Sequence, residues 1–360
     1  MSVLYILIGI LMFGVLIAVH ELGHFSAAKL FGIKVNEYSI GMGPTLFKRK
    51  KGETEYSLRA LPIGGFCAIE GEDGESDDPR AFTAKPLWQR FIVLAAGSLM
   101  NFFIGFLITL LLYLISSLAG NYVVGTNTLS GFMDGFPLEG EQGLMAGDRI
   151  LSVNGWGVNN PRDLTLFLSL EGGETVDLVI RRDGKKITLD DLPLQKRTYT
   201  DALTGEEGLY YGLYFSQEAL TPGSALRESW YDCQYYVRVV WVSLRYLISG
   251  KAGVKDLSGP VGMVKAMGDV GTQAATVGEG LSNVFGLVAF IAVNLAVMNL
   301  LPIPALDGGR IFSMLVFALI ALIIRRKPNP KIESYIHAGG LVLLLGLMAF
   351  VMFNDIYKLF

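Results

Sequence analysis

Four stretches of this 360-residue chain are almost continuously apolar, and each is close to the length that an α-helix needs to cross a lipid bilayer. They cover residues 2–19, 91–119, 285–301 and 339–353. A cleaved signal peptide is the competing interpretation of the first stretch, but no basic segment precedes it and no small-residue cleavage site follows it. We therefore predict four transmembrane helices, the first of them uncleaved.

Basic residues between the apolar stretches predict the orientation of the chain. Residues 29–90 carry ten Lys and Arg residues, and the connection before the last stretch carries Arg325, Arg326, Lys327 and Lys331. Because loops rich in Lys and Arg stay in the cytoplasm, both segments are predicted to be cytoplasmic. The N-terminus, residues 120–284 and the C-terminus then lie outside, and the chain is predicted to be a multi-pass protein of the cell (plasma) membrane.

Residues 125–220 change in character, from apolar to mixed and β-branched. Short runs at 149–153 and 175–180 are each followed by an Asn-Gly or Asp-Gly pair, which is typical of strands joined by tight turns. We predict a small β-rich domain outside the membrane. In the first cytoplasmic loop, residues 54–72 alternate on either side of 62–65 and predict a β-hairpin with an apolar tip.

The composition agrees with a membrane protein, since 51% of the residues are hydrophobic and 18% are charged. The net charge is -3, and basic residues do not cluster with aromatic ones, so no nucleic-acid partner is expected. Cys67 and Cys233 show no spacing typical of a disulfide framework or a metal site. They are predicted to lie unpaired, on opposite sides of the membrane.

Two of the three histidines stand at helical spacing. His20 and His24 are four residues apart at the end of the first apolar stretch, so a helix projects both imidazoles from one face, where they can bind one metal ion. Glu21 lies beside them, placed to act as a general base. Zinc is the usual occupant of this HExxH pattern. A capped helix end at the membrane surface is the alternative, while His337, without a partner at ligand spacing, is predicted to be an interfacial or core histidine.

A third ligand is predicted at Asp307, the other ionisable side chain in an apolar stretch at comparable depth. It follows Pro302 and Pro304, which end the preceding helix, and precedes Gly308 and Gly309, which allow close backbone approach. A carboxylate on such broken backbone can point into a polar cavity within the membrane. A simple helix-end aspartate is the alternative interpretation.

A further apolar segment, residues 229–249, is predicted to lie along the membrane surface instead of crossing it. Arg238 and Arg245 stand one heptad apart on a single helical face, which favours an interfacial helix. A fifth span would also reverse the direction of residues 285–301. Asp307 would then lie at the membrane face opposite the two histidines.

Two motifs together resemble the site-2 protease family of intramembrane zinc metalloproteases: HExxH at 20–24 and NxxPxPxLDG at 299–308. The resemblance extends over nearly the whole chain, including SGPVG at 258–262 and GGF at 64–66, and is closest to the regulator of sigma-E protease type. Residues 143–155 resemble the PDZ pattern of bacterial proteases, whose groove accepts an extended peptide by strand addition. A single PDZ domain is expected.

The resemblance implies a role for each site residue. The ligands of Zn²⁺ are expected to be His20, His24 and Asp307, and Glu21 is expected to be the catalytic base. Asn299 is expected to contact the substrate backbone or the developing oxyanion, with a structural cap for freed backbone groups as the alternative.

The resemblance also implies how substrate reaches the metal. In the family, a hairpin dips into the membrane beside the zinc, and its edge could pair with an unwound substrate. Gly64, Gly65 and Phe66 are therefore expected to bind substrate. Asn101, in a segment that resembles the family's GPxxN with Ser98 where proline is usual, is expected to be structural.

The implied reaction is hydrolysis of peptide bonds within or near the transmembrane segment of single-span membrane proteins, such as anti-sigma factors or signal-peptide remnants. The PDZ-like domain would either recruit substrates or exclude bulky ones. A membrane metal transporter and a PDZ scaffold without proteolytic activity are the alternative functions. A transporter would line several spans with ionisable groups, whereas this sequence concentrates them at one depth.

The predicted fold is an α-helical multi-span membrane protein with four transmembrane helices, a membrane-associated β-hairpin and an extracytoplasmic β-rich PDZ-like domain. In chain order we expect the first transmembrane helix with HExxH (1–30), a cytoplasmic or re-entrant hairpin region (31–88), the second transmembrane helix (89–119), the PDZ-like domain (120–222), an interfacial helix and connector (223–284), the third transmembrane helix with the LDG motif and a following helix (285–326), and a cytoplasmic turn with the fourth transmembrane helix (327–360).

Overall fold

The structure, a computed structural model, describes residues 2–357 except 73, 75, 121, 172–173, 202–204, 252, 254–258 and 326–329. It divides into unit 1, formed by Met1–Leu112 and Ser243–Phe360, and unit 2, formed by Tyr113–Val242. Three residues of the predicted motifs and basic loops, Ser258, Arg326 and Lys327, lie outside the described residues.

Unit 1 consists mainly of helices, which are α1 (Ser2–Leu30), most of α2 (Leu87–Leu118), α5 (Pro260–Thr272), α6 (Val277–Asn299), α7 (Asp307–Ile324) and α8 (Pro330–Tyr357). Among the described residues, five helices are long and apolar enough to cross a membrane, namely α1, α2, α6, α7 and α8. The sequence pattern predicted four. The additional candidate is α7, because the helix breaks between residues 299 and 307, where Pro302 and Pro304 stand, and the apolar chain on either side forms two separate helices.

Packing against α1 shows the direction of α6 and α7. Near its start, α6 packs Val284 in one cluster with Tyr5 of α1. Beyond the break, Asp307 lies beside His20, and Ile311 belongs to a second cluster that includes Ala28. The helix α6 and the first turns of α7 therefore follow α1 in the same direction, on either side of the break.

The helix α8 runs back from this break. Near its start, the ring of His337 lies 3.3 Å from the amide nitrogen of Ala305. Near its end, the buried carboxylate of Asp355 accepts hydrogen bonds from the amides of Gly259 and Gly262, both at 2.9 Å. These contacts hold α8 against the break at one end and the start of α5 at the other.

A two-stranded sheet lies between α1 and α2 in the chain. Strand β1 (Val35–Lys51) pairs antiparallel with β2 (Thr54–Ile69) around a turn at 52–53. Both strands bend at glycines with positive φ, 84° at Gly41 and 94° at Gly64. As a result, residues 37–40 have partners on two sides, at 65–68 and at 55–58.

The hairpin predicted within residues 54–72 is wrong in its boundaries. Most of that segment is the single strand β2, and its partner is β1. The predicted tip at 62–65 is a bend within the strand. The error has a physical reason, because a glycine bend interrupts the alternation of side chains in the same way as a turn does.

Unit 2 is built around an antiparallel sheet with strand order β10–β3–β4–β6–β7, and β5 pairs with β4. The strands are β3 (Val123–Phe132), β4 (Arg149–Val153), β5 (Trp156–Gly157), β6 (Val176–Arg182), β7 (Lys185–Leu192) and β10 (Leu213–Ala219). A separate hairpin joins β8 (Arg197–Thr200) to β9 (Glu207–Tyr210), and the helix α3 (Pro161–Glu171) buries Leu164 and Phe167. The predicted β-rich character of residues 125–220 is confirmed.

The predicted interfacial segment belongs to α4 (Pro222–Ile248), which is not among the candidate spans of the described chain. Within unit 2 two of its charged groups pair with other parts of the protein. Arg238 Nη1 lies 2.6 Å from Asp163 Oδ2, and the Asp163 side chain is fully buried. Asp232 of α4 pairs with Arg162 and accepts a hydrogen bond from Tyr113 Oη at 2.9 Å. Arg238 therefore pairs with protein within unit 2.

Candidate metal centre

Three side chains from distant parts of the chain meet inside unit 1. His20 Nε2 lies 3.1 Å from His24 Nε2 and 3.1 Å from Asp307 Oδ2, and His24 Nε2 lies 3.3 Å from the same oxygen. Both histidines are 8% exposed. The Asp307 oxygen is buried, yet it takes part in no well-directed hydrogen bond with the part of the chain that the structure describes. The three residues therefore offer ligand atoms close enough together to hold one metal ion.

This spacing fits a tetrahedral zinc ion. Bonds of about 2.0–2.1 Å at tetrahedral angles separate the ligand atoms by about 3.3 Å. Two imidazoles and one carboxylate are also a ligand set of catalytic zinc sites, which leave a fourth position for water or substrate. The residues present therefore fit the metal that the sequence predicted.

Two glycines let α2 pass directly over the histidines. A β-carbon on Gly97 would lie 2.8 Å from His20 Nε2 and nearer still to His24 Nε2. A β-carbon on Gly23 would lie 2.8 Å from the Cα atom of Gly97. Neither would fit, so the close approach of α1 and α2 requires glycine at both positions.

The hydrogen bond of His24 sets its tautomer. Its Nδ1 lies 2.8 Å from the carbonyl oxygen of Val93 on α2. Because a carbonyl oxygen can only accept, Nδ1 carries the proton, and Nε2 of the neutral ring presents its lone pair to the metal site. Outer partners of this kind orient metal-binding histidines.

Asn101 is the corresponding polar neighbour of His20. Its side-chain amide lies against His20 Nδ1, with Nδ2 at 3.4 Å, and its Oδ1 is buried without a hydrogen-bond partner among the described residues. A half-turn of the amide exchanges the two atoms. In that orientation Oδ1 accepts a hydrogen bond from Nδ1–H, and His20 Nε2 is left free to bind metal.

Glu21, the next residue of α1, faces the sheet. The backbone of Cys67 on β2 lies beside its carboxylate. A β-carbon on Gly65 would lie 3.7 Å from Glu21 Cγ and 2.8 Å from the carbonyl oxygen of Ser39 on β1. Strand β2 therefore passes close to Glu21, and glycine at residue 65 is required by the tight approach of β2 to β1.

The sheet is fixed to α1 beside the metal centre. Tyr38 on β1 donates a hydrogen bond of 2.8 Å to the carbonyl oxygen of Ala18, and burial raises the pKa of Tyr38 to about 12, so it remains a donor. Between α1 and the sheet runs an apolar groove of about 320 Å³, whose lining includes Val15, Leu22 and Ile40.

The predicted site residues fall into two groups. His20, His24, Asp307, Glu21 and Gly65 are brought together as described above. Gly64 forms the bend of β2, the ring of Phe66 lies 4.9 Å from the guanidinium of Arg59, and Asn299 is the last residue of α6. Substrate contacts of these three residues stay predictions.

Two further residues contact the site. Asn101, expected to be structural, contacts His20, and the signal available in the sequence was its polar side chain in the middle of an apolar stretch. His337 accepts a hydrogen bond from the amide of Ala305, whose φ of 76° is unusual for a residue other than glycine. Ala305 stands two residues before Asp307, so His337 supports the loop that carries the third ligand.

A His–His–Asp cluster beside a glutamate, among helices apolar enough to span a membrane, defines a metal-dependent hydrolase of membranes. The chain belongs to peptidase family M50, whose model matches residues 8–347.

Relatives with curated names agree with this family. A Clostridium perfringens protein that is provisionally named a zinc metalloprotease is 38% identical over 356 residues, which are 98% of each chain. The regulator of sigma-W protease RasP of Bacillus subtilis is 29% identical over 437 aligned positions, covering 98% of both chains. The zinc metalloprotease RasP of Geobacillus kaustophilus is 29% identical over 436 positions, 98% of this chain and 97% of the relative. The predictions of the family, of a peptidase and of a zinc enzyme are confirmed at this level.

Proposed function

We propose that this chain is an intramembrane zinc protease that hydrolyses peptide bonds within or near the transmembrane segment of single-span membrane proteins. One observation carries the proposal: His20, His24 and Asp307 converge at 3.1 to 3.3 Å among apolar helices, with Glu21 next to them in the chain. Polar groups in such helices are expensive and usually functional.

The residues divide the chemistry between them. His20, His24 and Asp307 would hold Zn²⁺, which when bound lowers the pKa of water and polarises a carbonyl. Glu21 accepts the proton of the attacking water and returns it to the leaving amine. Val93 and Asn101 keep the two imidazoles in the required tautomer. Asn299 is proposed to bind the substrate backbone or the oxyanion.

The bend and edge of β2 at 64–66 would present the substrate. A helical substrate hides its amides, so cleavage requires an extended segment, which can pair with a strand edge. The short distance between Gly65 and Glu21 supports this placement. The apolar groove between α1 and the sheet offers a path for side chains of the same segment.

The substrate class is proposed from the relatives and from unit 2. One relative is named a regulator of sigma-W protease, which supports an anti-sigma factor as substrate of this chain. Unit 2 would be a PDZ-like domain that recruits such proteins. A groove of about 210 Å³ between α3 and the segment leading into β10, lined by Leu164, Leu168 and Phe215 with Lys196, supports binding of a peptide over exclusion by size.

The topology is proposed as predicted, in the cell membrane with both termini and unit 2 outside. The basic residues of 29–90 support this orientation. The helices α6 and α7 run in the same direction along α1, which supports counting them as one crossing interrupted by the break. The protein then has four crossings, and the metal centre lies toward the cytoplasmic side.

Cleavage of a tagged single-span substrate by the purified full-length protein in liposomes tests the proposal. The wild type should cleave, whereas Glu21→Gln and chelator-treated protein should not. Glu139→Gln, an exposed position of unit 2, is the matched control and should cleave normally. Normal cleavage by Glu21→Gln would refute the assignment of the base, and normal cleavage without metal would refute the metalloprotease.

A further inference from the structure

An ion pair joins the helix of Asp307 to the segment that follows the sheet. Arg310 Nη1 lies 2.7 Å from Glu72 Oε1, and the two side chains are 27% and 17% exposed. Arg310 lies one turn after Asp307 on α7, and Glu72 lies three residues after the end of β2. The pair thus connects two regions that meet at the proposed active site.

The position of Arg310 in the helix is unusual for a cation. It stands in the first turn of α7, where the positive end of the helix dipole disfavours positive charge. The carboxylate of Glu72 compensates for this. A β-carbon on Gly309 would lie 2.6 Å from the carbonyl carbon of Ile303, so the first turn of α7 is packed tightly against the preceding loop. Asp307 and Arg310 therefore lie on one closely packed turn.

Other contacts attach the sheet to α1. Tyr38 donates a hydrogen bond to the carbonyl oxygen of Ala18, and Glu53 of the hairpin turn forms an ion pair of 2.8 Å with Lys29. The backbone of Cys67 lies beside Glu21. The Arg310–Glu72 pair adds an attachment to α7. The sheet is thereby held to the helix of the histidines and to the helix of the aspartate.

We infer that Arg310 and Glu72 are a positioning pair, which fixes the edge of β2 at 64–66 relative to the three metal ligands. The inference rests on the proposed function in placing the substrate at that edge. The pair acts through β2 and α7 and not on the reacting atoms. Losing it leaves the ligands in place but lets the substrate strand drift from Glu21.

Three variants of the full-length protein test this: Arg310→Gln, Glu72→Gln and the charge-swapped Arg310→Glu/Glu72→Arg. The matched control is Lys48→Gln, which breaks an exposed ion pair with Glu55 on the same sheet. We expect each single variant to lower kcat by about 10- to 100-fold with little change in KM, because a misplacement of about 1 Å costs up to that factor. Zinc content should stay at the wild-type level, the swapped variant should recover most of kcat, and the control should match the wild type.

Hydrogen exchange provides a readout that does not depend on cleavage. Amides at 65–69 and 307–312 should exchange faster in both single variants, and the swapped variant should restore their protection. A merely stabilising pair would instead lower zinc content and speed exchange throughout unit 1. The inference would be overturned if the single variants kept the kcat and the exchange rates of the wild type. It would also be overturned if the charge-swapped variant restored neither kcat nor protection from exchange. If the wild type cleaves no substrate, the proposed function fails, while exchange still decides whether the pair holds the two regions.

Discussion

Alanine at position 97 should weaken metal binding strongly while leaving the helices folded. Gly97 lies on α2 where this helix crosses the two histidines. The β-carbon of alanine would point at both Nε2 atoms, at 2.8 Å from that of His20. The substitution therefore acts on the ligands themselves, although residue 97 has no side chain in the native protein.

The size of the effect follows from the distances. Ordinary van der Waals contact begins near 3.4 Å, so the imidazole of His20 must retreat by at least about 0.6 Å, and the imidazole of His24, which is nearer, by more, unless α2 itself moves away. Zinc sites tolerate changes of about 0.2 Å in ligand distance. The helix cannot easily retreat, because Gly105 is packed as closely against Val293 of α6. We expect a loss of zinc affinity of at least 10- to 100-fold, or about 1.4 to 2.7 kcal/mol, the range seen when outer partners of metal ligands are removed.

Zinc affinity is measured by competition with a chelator, and zinc content by elemental analysis of the purified protein. Gly286→Ala is the control, because it makes the same change in an apolar helix where a β-carbon meets nothing within 4 Å. Helical content and thermal unfolding of the metal-free proteins should be similar. Wild-type zinc affinity in Gly97→Ala would show that α2 does not constrain the histidines.

Three further predictions address groups around the site and in unit 2. Asn101→Ala should lower zinc affinity by about 10- to 100-fold, because His20 loses the partner that sets its tautomer. The control Thr109→Val should leave zinc affinity unchanged, because the buried Thr109 hydroxyl hydrogen-bonds only the backbone of the same helix among the contacts described. Asp148→Asn should destabilise unit 2 by about 3 kcal/mol in thermal unfolding, because it breaks a buried two-point ion pair with Arg182, and an unchanged melting temperature would contradict this. His337→Ala should lower cleavage, because it removes the acceptor of the hydrogen bond from the Ala305 amide in the loop before Asp307. His337→Asn keeps an acceptor and should retain more activity. Equal activity of the two variants would refute the role.

The residues of the metal centre could be predicted from the sequence more completely than the rest of the fold. The i, i+4 spacing of His20 and His24 requires only that α1 be helical, and a helix is the default for an apolar stretch of that length. Asp307 could be selected because few ionisable residues occur in the apolar stretches. Both inferences depend on local rules that tertiary structure rarely overrides.

The errors arose where the outcome depends on packing. The bend at Gly64 and the pairing of β2 with β1 are set by contacts that alternation alone does not encode. The contact of Asn101 with His20 joins positions 81 residues apart. The partner of Arg238, Asp163, lies on a different element, so this ion pair could not be predicted from local sequence, while the interfacial helix itself stays a prediction.

The close packing of the glycines has a consequence for how the metal centre forms. In a membrane, helices gain little from the hydrophobic effect when they associate, so small residues that allow close contact become important. Gly23 and Gly97 bring α1 and α2 together at the histidines, and Gly308 brings the first turn of α7 against the end of α6. Metal binding and helix packing are then linked equilibria. A ligand that binds the packed form stabilises it by mass action, so metal removal should loosen the contact of α1 with α2 first, and hydrogen exchange of residues 93–101 would detect this.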